Sequence, residues 1–325
     1  MKSANKENKI VVLGGGTGMP VLLRGLKKLP VQLSTIVTVA DDGGSTGMIR
    51  KKLGTPAPGD IRNVIAALSN VDADLEKLFQ YRFQIDNGLS GHALGNMVLV
   101  AMSSITGDFY SAIKKVSEMF RVKGNIYPVV NESVTLHAEM DDGTIISGES
   151  NIKFDKNRKI KRIFLTPYEV QPLPIIIQEI LEADLVVISP GSLYTSILPN
   201  IIIPEIANAL AETTSEVIYV CNIMTQSGET DYYKASDHVK AIYNHTHDNI
   251  IDSIIVHNEQ IKEEILKNYK LENAFPVEYD KENLLQLGVQ TIEDNIVDIS
   301  KNVIRHNTNK IANLLFDRLN KKINF

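Results

Sequence analysis

Tryptophan is absent from this 325-residue chain, and cysteine occurs once, at Cys221. A single cysteine excludes a disulfide framework and a cysteine-rich zinc site. Cys221 follows the apolar run VIYV, so we expect a buried strand cysteine. No apolar run approaches the roughly 20 residues that a membrane-spanning helix needs. The polar start MKSANKENK also lacks the apolar core of a signal peptide. We therefore expect a cytoplasmic protein without a membrane span.

A basic stripe is also missing. The chain has 34 Lys and Arg against 39 Asp and Glu, a formal net charge of −5. Binding to nucleic acid usually needs a strongly basic face, so we expect no nucleic-acid partner. The best basic cluster, Arg50, Lys51 and Lys52, follows a glycine-rich loop and suits a small polyphosphate better. With 43% hydrophobic and 22% charged residues, the chain has the composition of a globular protein.

The order of the predicted elements indicates an α/β fold. A strand at 10–13, a glycine turn, a helix at 20–26 and a strand at 33–39 make one βαβ unit, and such units give parallel sheets. The alternation resumes with strands at 185–189, 217–220 and 250–256 and helices at 201–210, 235–245 and 260–270.

The middle of the chain has a different character. Helices are predicted at 61–68, 75–83, 93–104 and 109–120. Short β-rich segments then follow from 125 to 165 around Asp141, Asp142 and Gly143, a hairpin signal. We expect a small antiparallel insertion there, a final helix at 303–321, one domain over 9–318 and a disordered tail at 1–8.

The strongest local signal is the loop LGGGTG after the first strand. Glycines let the backbone approach a phosphate closely, and the amides that start the next helix then face the anion. We therefore predict phosphate contacts from Gly15, Gly16, Thr17 and Gly18. No Lys-Ser/Thr pair follows, so this is not a Walker A loop, and Met19 replaces the third glycine of the dinucleotide fingerprint. The alternative is a tight strand-to-helix turn without a ligand.

The second signal is the acidic, glycine-rich stretch after the second strand, which contains Asp41, Asp42, Gly43, Gly44 and Ser45. One of the two aspartates would bind a ribose hydroxyl, hold Mg²⁺ against phosphates, or act as a general base. We take Asp42 as the first choice for a metal ligand and the following three residues as nucleotide contacts. The alternative is an exposed turn, because Asp-Gly is common turn chemistry.

Four further polar segments lie at predicted strand ends or helix starts. Arg62 lies in a first helical turn, where the helix dipole disfavours a cation unless an anion is near. His92 lies between glycines and is able to contact phosphate or transfer a proton. The remaining candidate contacts are Asn96, Pro190, Gly191, Ser192 and Asn222. Because the carboxyl ends of parallel strands meet at one sheet edge, we expect one crevice there.

Several motifs together resemble the YvcK-type gluconeogenesis factors of bacteria: VVLGGGTGMPVLLRGLK, VTVADDGGSTGMIR, PGDIRN, GHALGN, ISPGSLYTSILPN, CNIMTQSGET and RHNTNKIA. The resemblance implies a Rossmann-like three-layer α/β/α fold and a role in growth on gluconeogenic carbon sources, with effects on cell shape and wall synthesis. It also suggests binding of a UDP-sugar such as UDP-N-acetylglucosamine, with Tyr269 and Arg305 as sugar or uridine contacts.

This family is related to 2-phospho-L-lactate transferase. Those relatives imply a guanosine nucleotide at the first glycine loop, Gly14 to Gly18, and a metal-linked aspartate at the second, here Asp41 or Asp42. The sequence Met19-Pro20 departs from the small residues that the transferases favour. Three hypotheses stay open: a nucleotide-sugar-binding regulatory factor, a Mg²⁺-dependent transferase, and an NAD-dependent oxidoreductase. A homo-oligomer and a regulatory protein partner are compatible with the first.

Overall fold

A computed structural model describes residues 7–84, 89–152, 158–300 and 302–321. Most of the predicted tail, residues 1–6, lies outside these residues. Within them the strands are β1 (Asn8–Gly14), β2 (Val31–Val37), β3 (Asn125–Pro128), β4 (Thr135–Met140), β5 (Ile145–Ser147), β6 (Ile160–Thr166), β7 (Leu185–Ile188), β8 (Glu216–Val220), β9 (Ser253–His257), β10 (Gln290–Asp294), β11 (Val297–Ser300) and β12 (Val303–His306).

The helices of the described residues connect or follow these strands. They are α1 (Gly18–Leu26), α2 (Gly44–Leu53), α3 (Pro58–Leu68), α4 (Ala73–Gln80), α5 (Leu94–Thr106), α6 (Phe109–Met119), α7 (Glu149–Ile152), α8 (Pro174–Leu181), α9 (Leu198–Ile201), α10 (Pro204–Glu212), α11 (Ala235–Tyr243), α12 (Glu263–Leu271), α13 (Lys281–Gln286) and α14 (Thr308–Lys321). Helices α2 to α6 follow one another between β2 and β3. A π-helical turn, Leu193–Ile197, leads directly into α9.

A seven-stranded parallel sheet in the order β10-β9-β8-β7-β1-β2-β3 organises the molecule. Strand β1, in the interior of the sheet, is fully buried from Ile10 to Leu13. Such an unbroken apolar run is typical of a parallel strand covered on both faces. Helix α1 packs against α3 and α14, and α8 packs against α10. A small antiparallel sheet, β5-β4-β6, completes the predicted fold class, which is confirmed.

Two differences from the predictions concern how a segment pairs. The expected antiparallel insertion at 125–165 starts too early, because β3 pairs with β2 as a parallel edge strand of the main sheet. The expected helix at 303–321 begins only at Thr308, since β12 pairs with β11 in an antiparallel hairpin. Asn302, with φ of 60°, lies next to β12 in that hairpin. The apolar spacing from Ile304 to Ile311 mimics a helical repeat, and strand pairing overrides it.

The order of the strands creates a switch point. The chain runs from β1 outward to β2 and β3, then returns to the other side of β1 and continues through β7, β8, β9 and β10. The loops that follow β1 and β7 therefore start side by side at the same sheet edge. The strands they lead to, β2 and β8, lie on opposite sides of the β1–β7 pair. In open α/β sheets this crevice is where ligands bind. Among the described residues, no helix is both long and apolar enough to cross a membrane.

Candidate functional site

A cleft of about 980 Å³ lies at this switch point. Its walls come from the loops after β1, β2, β7 and β8, from the starts of α3 and α7, from the end of α12 and from β12. Ten of its lining residues were predicted from the sequence: Gly16, Thr17, Gly18, Asp41, Pro190, Gly191, Ser192, Asn222, Tyr269 and Arg305. Segments up to about 290 residues apart in the chain thus meet at one surface.

The first glycine loop packs against the loop that follows β7. Gly18 approaches the Pro190 backbone so closely that a Cβ there would overlap the Pro190 carbonyl oxygen. Gly16 has a φ of 65°, in the left-handed region that favours glycine. These two glycines therefore have a folding reason as well as any binding role. Thr17 and Gly18 start α1 at the cleft surface, and no side chain caps that helix.

The Asp60 side chain is hydrogen-bonded to one of the backbone amides of the first glycine loop. Its Oδ2 accepts a hydrogen bond of 2.7 Å from the Gly16 N–H. The buried Gly15 lies beneath the same carboxylate, because a Cβ at Gly15 would come within 2.7 Å of Asp60 Oδ2. Of the predicted phosphate contacts in this loop, Gly15 is therefore not part of the cleft lining and the Gly16 amide already has an acceptor.

The loop after β7 is held from behind by buried polar groups. The Asn222 side chain accepts from the Gly191 N–H at 3.2 Å and donates to the Gly191 carbonyl at 2.7 Å. Ser192 Oγ donates to the carboxylate of Glu229, which is 6% exposed, at 2.6 and 2.5 Å. Thr195 donates to the same carboxylate. These contacts fix the backbone that faces the cleft.

The C-terminal hairpin forms the far wall. Tyr269 Oη accepts a hydrogen bond of 2.7 Å from the Ile304 N–H, which fastens β12 to α12. Arg305 lies on β12 and lines the cleft with His306. His306 Nε2 donates to the Cys221 carbonyl at 2.9 Å. Burial lowers the pKa of His306 to about 4, so the ring is neutral near pH 7. Cys221 is buried as expected, but it directly follows the last residue of β8 instead of lying within the strand.

Three carboxylates line the cleft beside the glycine loop: Asp41, Asp60 and Glu149. Asp41 Oδ1 accepts from the Gly43 N–H at 2.8 Å, and Arg50 donates to the Asp41 backbone carbonyl. Arg50, from the predicted basic cluster, therefore stabilises the backbone at Asp41 and does not line the cleft. Among the described residues, no group of three or more His, Cys, Asp or Glu side chains is arranged to hold a metal ion.

Asp42 is directed elsewhere. Its Oδ1 accepts from the backbone N–H and the hydroxyl of Ser150, at 2.9 and 2.8 Å, at the start of α7. Asp42 does not line the cleft. Of the two adjacent aspartates, the structure turns Asp41 toward the cleft and Asp42 toward the small antiparallel sheet.

Four predicted contacts line a second, smaller cavity of about 270 Å³. Gly43, Gly44 and Ser45 form one side at the start of α2, and Arg62 lies on another. This cavity shares two lining residues, Asp41 and Asp60, with the large cleft.

His92 and Asn96 lie outside both cavities. Ser45 Oγ is 3.2 Å from His92 Nδ1 and accepts from Asn96 Nδ2 at 3.3 Å. Both residues are buried, His92 at 8% and Asn96 at 1% exposed. They therefore support the first turn of α2 from behind. The motif GHALGN was found from the sequence, but its position relative to the cavities depends on tertiary packing.

Other cleft residues were missed or given no role in the sequence analysis. They include Asp60, Glu149, Leu271, Glu272, Ala274, Ile304 and His306. Asp60 had a signal, because it stands in the PGD motif at a helix start. Glu149 had none, since only the packing of the small antiparallel sheet brings it to the cleft.

Comparison with known proteins decides the family. The family model described as 2-phospho-L-lactate transferase CofD matches residues 10–297. This chain belongs to the CofD family. The match covers the strand-end loops of the cleft but not Arg305 or His306, which lie beyond its last residue.

Full-length relatives of this CofD-family chain are named gluconeogenesis factor. One from Bacillus subtilis is 52% identical over 311 residues, covering 96% of this chain and 98% of the relative. One from Halalkalibacterium halodurans is 51% identical over 312 residues, covering 96% and 97%. A crystal structure of a Bacillus halodurans protein superposes with a TM-score of 0.94 at 51% identity, covering 96% of this chain and 100% of that chain. The predicted resemblance is confirmed.

Proposed function

We propose that the large cleft binds a nucleotide-sugar, with UDP-N-acetylglucosamine as the first choice. The chain would then act as a ligand-sensing gluconeogenesis factor that supports wall synthesis and cell shape on gluconeogenic carbon sources. The observation that carries the proposal is the joint lining of one cleft by the start of α1, the loop after β7, and the pair Tyr269 and Arg305.

The chemistry of each wall fits one part of such a ligand. The uncapped start of α1 offers backbone amides and the positive end of a helix dipole to the diphosphate. Arg305 adds a cation, and Tyr269 adds an aromatic ring near the apolar side chains of Ile223 and Ile304. A volume of about 980 Å³ is at the upper end for small-molecule sites, which leaves room for base, diphosphate and sugar.

Titration of the full chain with UDP-N-acetylglucosamine, GDP and NAD tests this proposal. Ligand at ~100-fold over its Kd is expected to add about 2.7 kcal/mol to the free energy of unfolding. Arg305→Gln is expected to weaken UDP-sugar binding at least about tenfold, or 1.4 kcal/mol. Arg162→Gln serves as the matched control, because Arg162 is exposed and pairs with Glu139 outside the cleft. Binding of NAD or GDP without UDP-sugar binding contradicts the proposal.

A second candidate function is a Mg²⁺-dependent transfer of a phosphoryl-linked group. The observation that favours it is the presence of Asp41, Asp60 and Glu149 beside the glycine loop. The described residues do not form a complete metal site, so Mg²⁺ would need phosphate oxygens from the ligand to complete its coordination shell. Asp41 would be the protein ligand or the general base.

Asp41→Asn tests the second function, because the amide oxygen is able to keep the hydrogen bond from Gly43 while the charge is lost. Mg²⁺-dependent product formation that disappears in Asp41→Asn supports a transferase. UDP-sugar binding with no turnover in the wild type favours the regulatory role. Asp42→Asn serves as the comparison, since Asp42 is bonded to Ser150 instead.

A further inference from the structure

The smaller cavity is built where the starts of two helices meet. Residues 43–46 begin α2, and Gly59 and Asp60 lie in the first turn of α3. Neither helix has a side-chain cap at its N-cap residue. The approach is close, because a Cβ at Gly59 would come within 2.6 Å of Thr46 Oγ1. Two sets of backbone amides and two positive dipole ends therefore converge on about 270 Å³.

A buried arginine faces the same space. Arg62 lines this cavity and is 4% exposed. Its Nη2 donates to Asn63 Oδ1 at 2.8 Å, whereas Nε and Nη1 have no hydrogen-bond partner within the part of the chain that the structure describes. A buried guanidinium with unpaired N–H groups is costly unless an anion binds it. A Cβ at Gly95 would come within 2.9 Å of Arg62 Cγ and Cδ, so close packing against Gly95 restricts the Arg62 rotamer.

The charge of this guanidinium persists at neutral pH. Burial and the neighbouring Arg82 lower the pKa of Arg62 to about 10. Arg82 lines the rim of the cavity and donates to the Gly91 carbonyl at 3.0 Å. The cavity thus has a cation in its wall and a second cation at its rim.

We infer that this cavity is a second anion subsite, which takes the phosphate group of a small phosphomonoester separately from the nucleotide-sugar. Asp41 and Asp60 also line it, and one oxygen of each accepts a loop amide, from Gly43 and Gly16 respectively. Their charge disfavours a bare dianion and favours a phosphate that carries a proton or a bound cation. The two carboxylates separate this phosphate from the large cleft, so both ligands bind at once.

Inorganic phosphate is the probe for the test, measured by equilibrium dialysis against the full chain at constant ionic strength. We expect one phosphate per chain in the wild type and at least about tenfold weaker binding in Arg62→Gln, about 1.4 kcal/mol. Arg162→Gln, outside both cavities, is expected to bind phosphate as the wild type does. Absence of saturable phosphate binding at millimolar concentrations in the wild type, or equal binding in Arg62→Gln, overturns the inference.

A second variant guards against a folding defect, because Arg62 is buried. Arg82 is exposed at the rim, and Arg82→Glu is expected to weaken phosphate binding at least about fivefold without unfolding the chain. Equal phosphate affinity in Arg82→Glu and in the wild type counts against the subsite.

A titration of phosphate in the presence of saturating UDP-N-acetylglucosamine separates the two sites. Unchanged phosphate affinity supports a separate subsite, whereas complete displacement overturns it. The inference does not depend on the nucleotide-sugar. If UDP-N-acetylglucosamine fails to bind while Arg62-dependent phosphate binding remains, the proposed function fails and the subsite stands.

Discussion

The Asp60 carboxylate accepts the Gly16 N–H at 2.7 Å, across 44 residues of sequence. This bond joins the PGD motif at the start of α3 to the glycine loop at the start of α1. It also places a negative charge between the two cavities, because Asp60 lines both. The glycine loop is therefore shaped by the protein's own carboxylate before any ligand arrives.

Replacement of Asp60 tests this relationship. Asp60→Ala leaves the Gly16 amide without its acceptor, and we expect the free energy of unfolding to fall by about 1–3 kcal/mol. Asp60→Asn keeps an acceptor and is expected to lose less than half as much. Urea unfolding of the two variants measures the difference. Equal losses would mean that the contact with Gly16 does not determine the effect.

Gly18→Ala addresses the packing of the two loops. The new methyl group would overlap the Pro190 carbonyl, so the loops must separate, at a cost of about 1–3 kcal/mol. Affinity for UDP-N-acetylglucosamine is expected to fall as well, since both loops line the cleft. Thermal unfolding and calorimetric titration measure the two effects. Wild-type affinity in this variant would show that the spacing of the loops is not needed for binding.

Asn222→Asp tests the loop after β7. The wild-type amide donates to the Gly191 carbonyl and accepts from the Gly191 N–H. A carboxylate keeps the second bond, repels the carbonyl and adds a negative charge beside the anionic ligand. We expect UDP-sugar affinity to fall at least about tenfold, or 1.4 kcal/mol. Asn222→Ala, which adds no charge, is the control and should lose less affinity.

His306 is expected to make the stability depend on pH. Burial holds its folded-state pKa at about 4, against about 6.5 in an unfolded chain. Between these values the unfolded state binds more protons, so the stability contribution is complete above pH ~6.5 and is lost as the pH falls toward 4, by at most about 1.4 kcal/mol per pH unit. The buried His238 and the partly buried His245 also have lowered pKa values and act in the same direction.

A comparison of the wild type with His306→Gln isolates the contribution of His306 to the pH dependence of stability. Urea unfolding of the wild type and of His306→Gln across this pH window should give a shallower slope for the variant. The glutamine amide is able to replace the donor to Cys221 without titrating. Identical slopes would show that another group causes the pH dependence.

The α/β class and most of the site followed from local sequence patterns. A buried apolar run before glycines marks a parallel strand and its ligand loop, and β1 with the following residues is an instance. The motifs around Gly18, Asp41, Gly191 and Asn222 were found because strand ends in such a fold share one edge.

The other features of the site depend on tertiary contacts that a local sequence pattern does not indicate. Asp41 and Asp42 are indistinguishable by spacing, and only the position of Ser150 assigns Asp42 to the antiparallel sheet. The segment from 303 to 306 carries helical spacing, but pairing with β11 makes it a strand. His92 and Asn96 are predicted ligand contacts by their sequence pattern. In the structure they contact Ser45 and are buried behind α2.

Hydrogen–deuterium exchange of the full chain, with and without UDP-N-acetylglucosamine, tests the central claim that distant loops form one ligand cleft. We expect simultaneous protection in peptides covering residues 16–18, 190–192, 222–227 and 304–306, all of which line the cleft. Peptides from α6, which lies outside it, should not change. Protection confined to a single segment, or located away from these loops, would contradict the account.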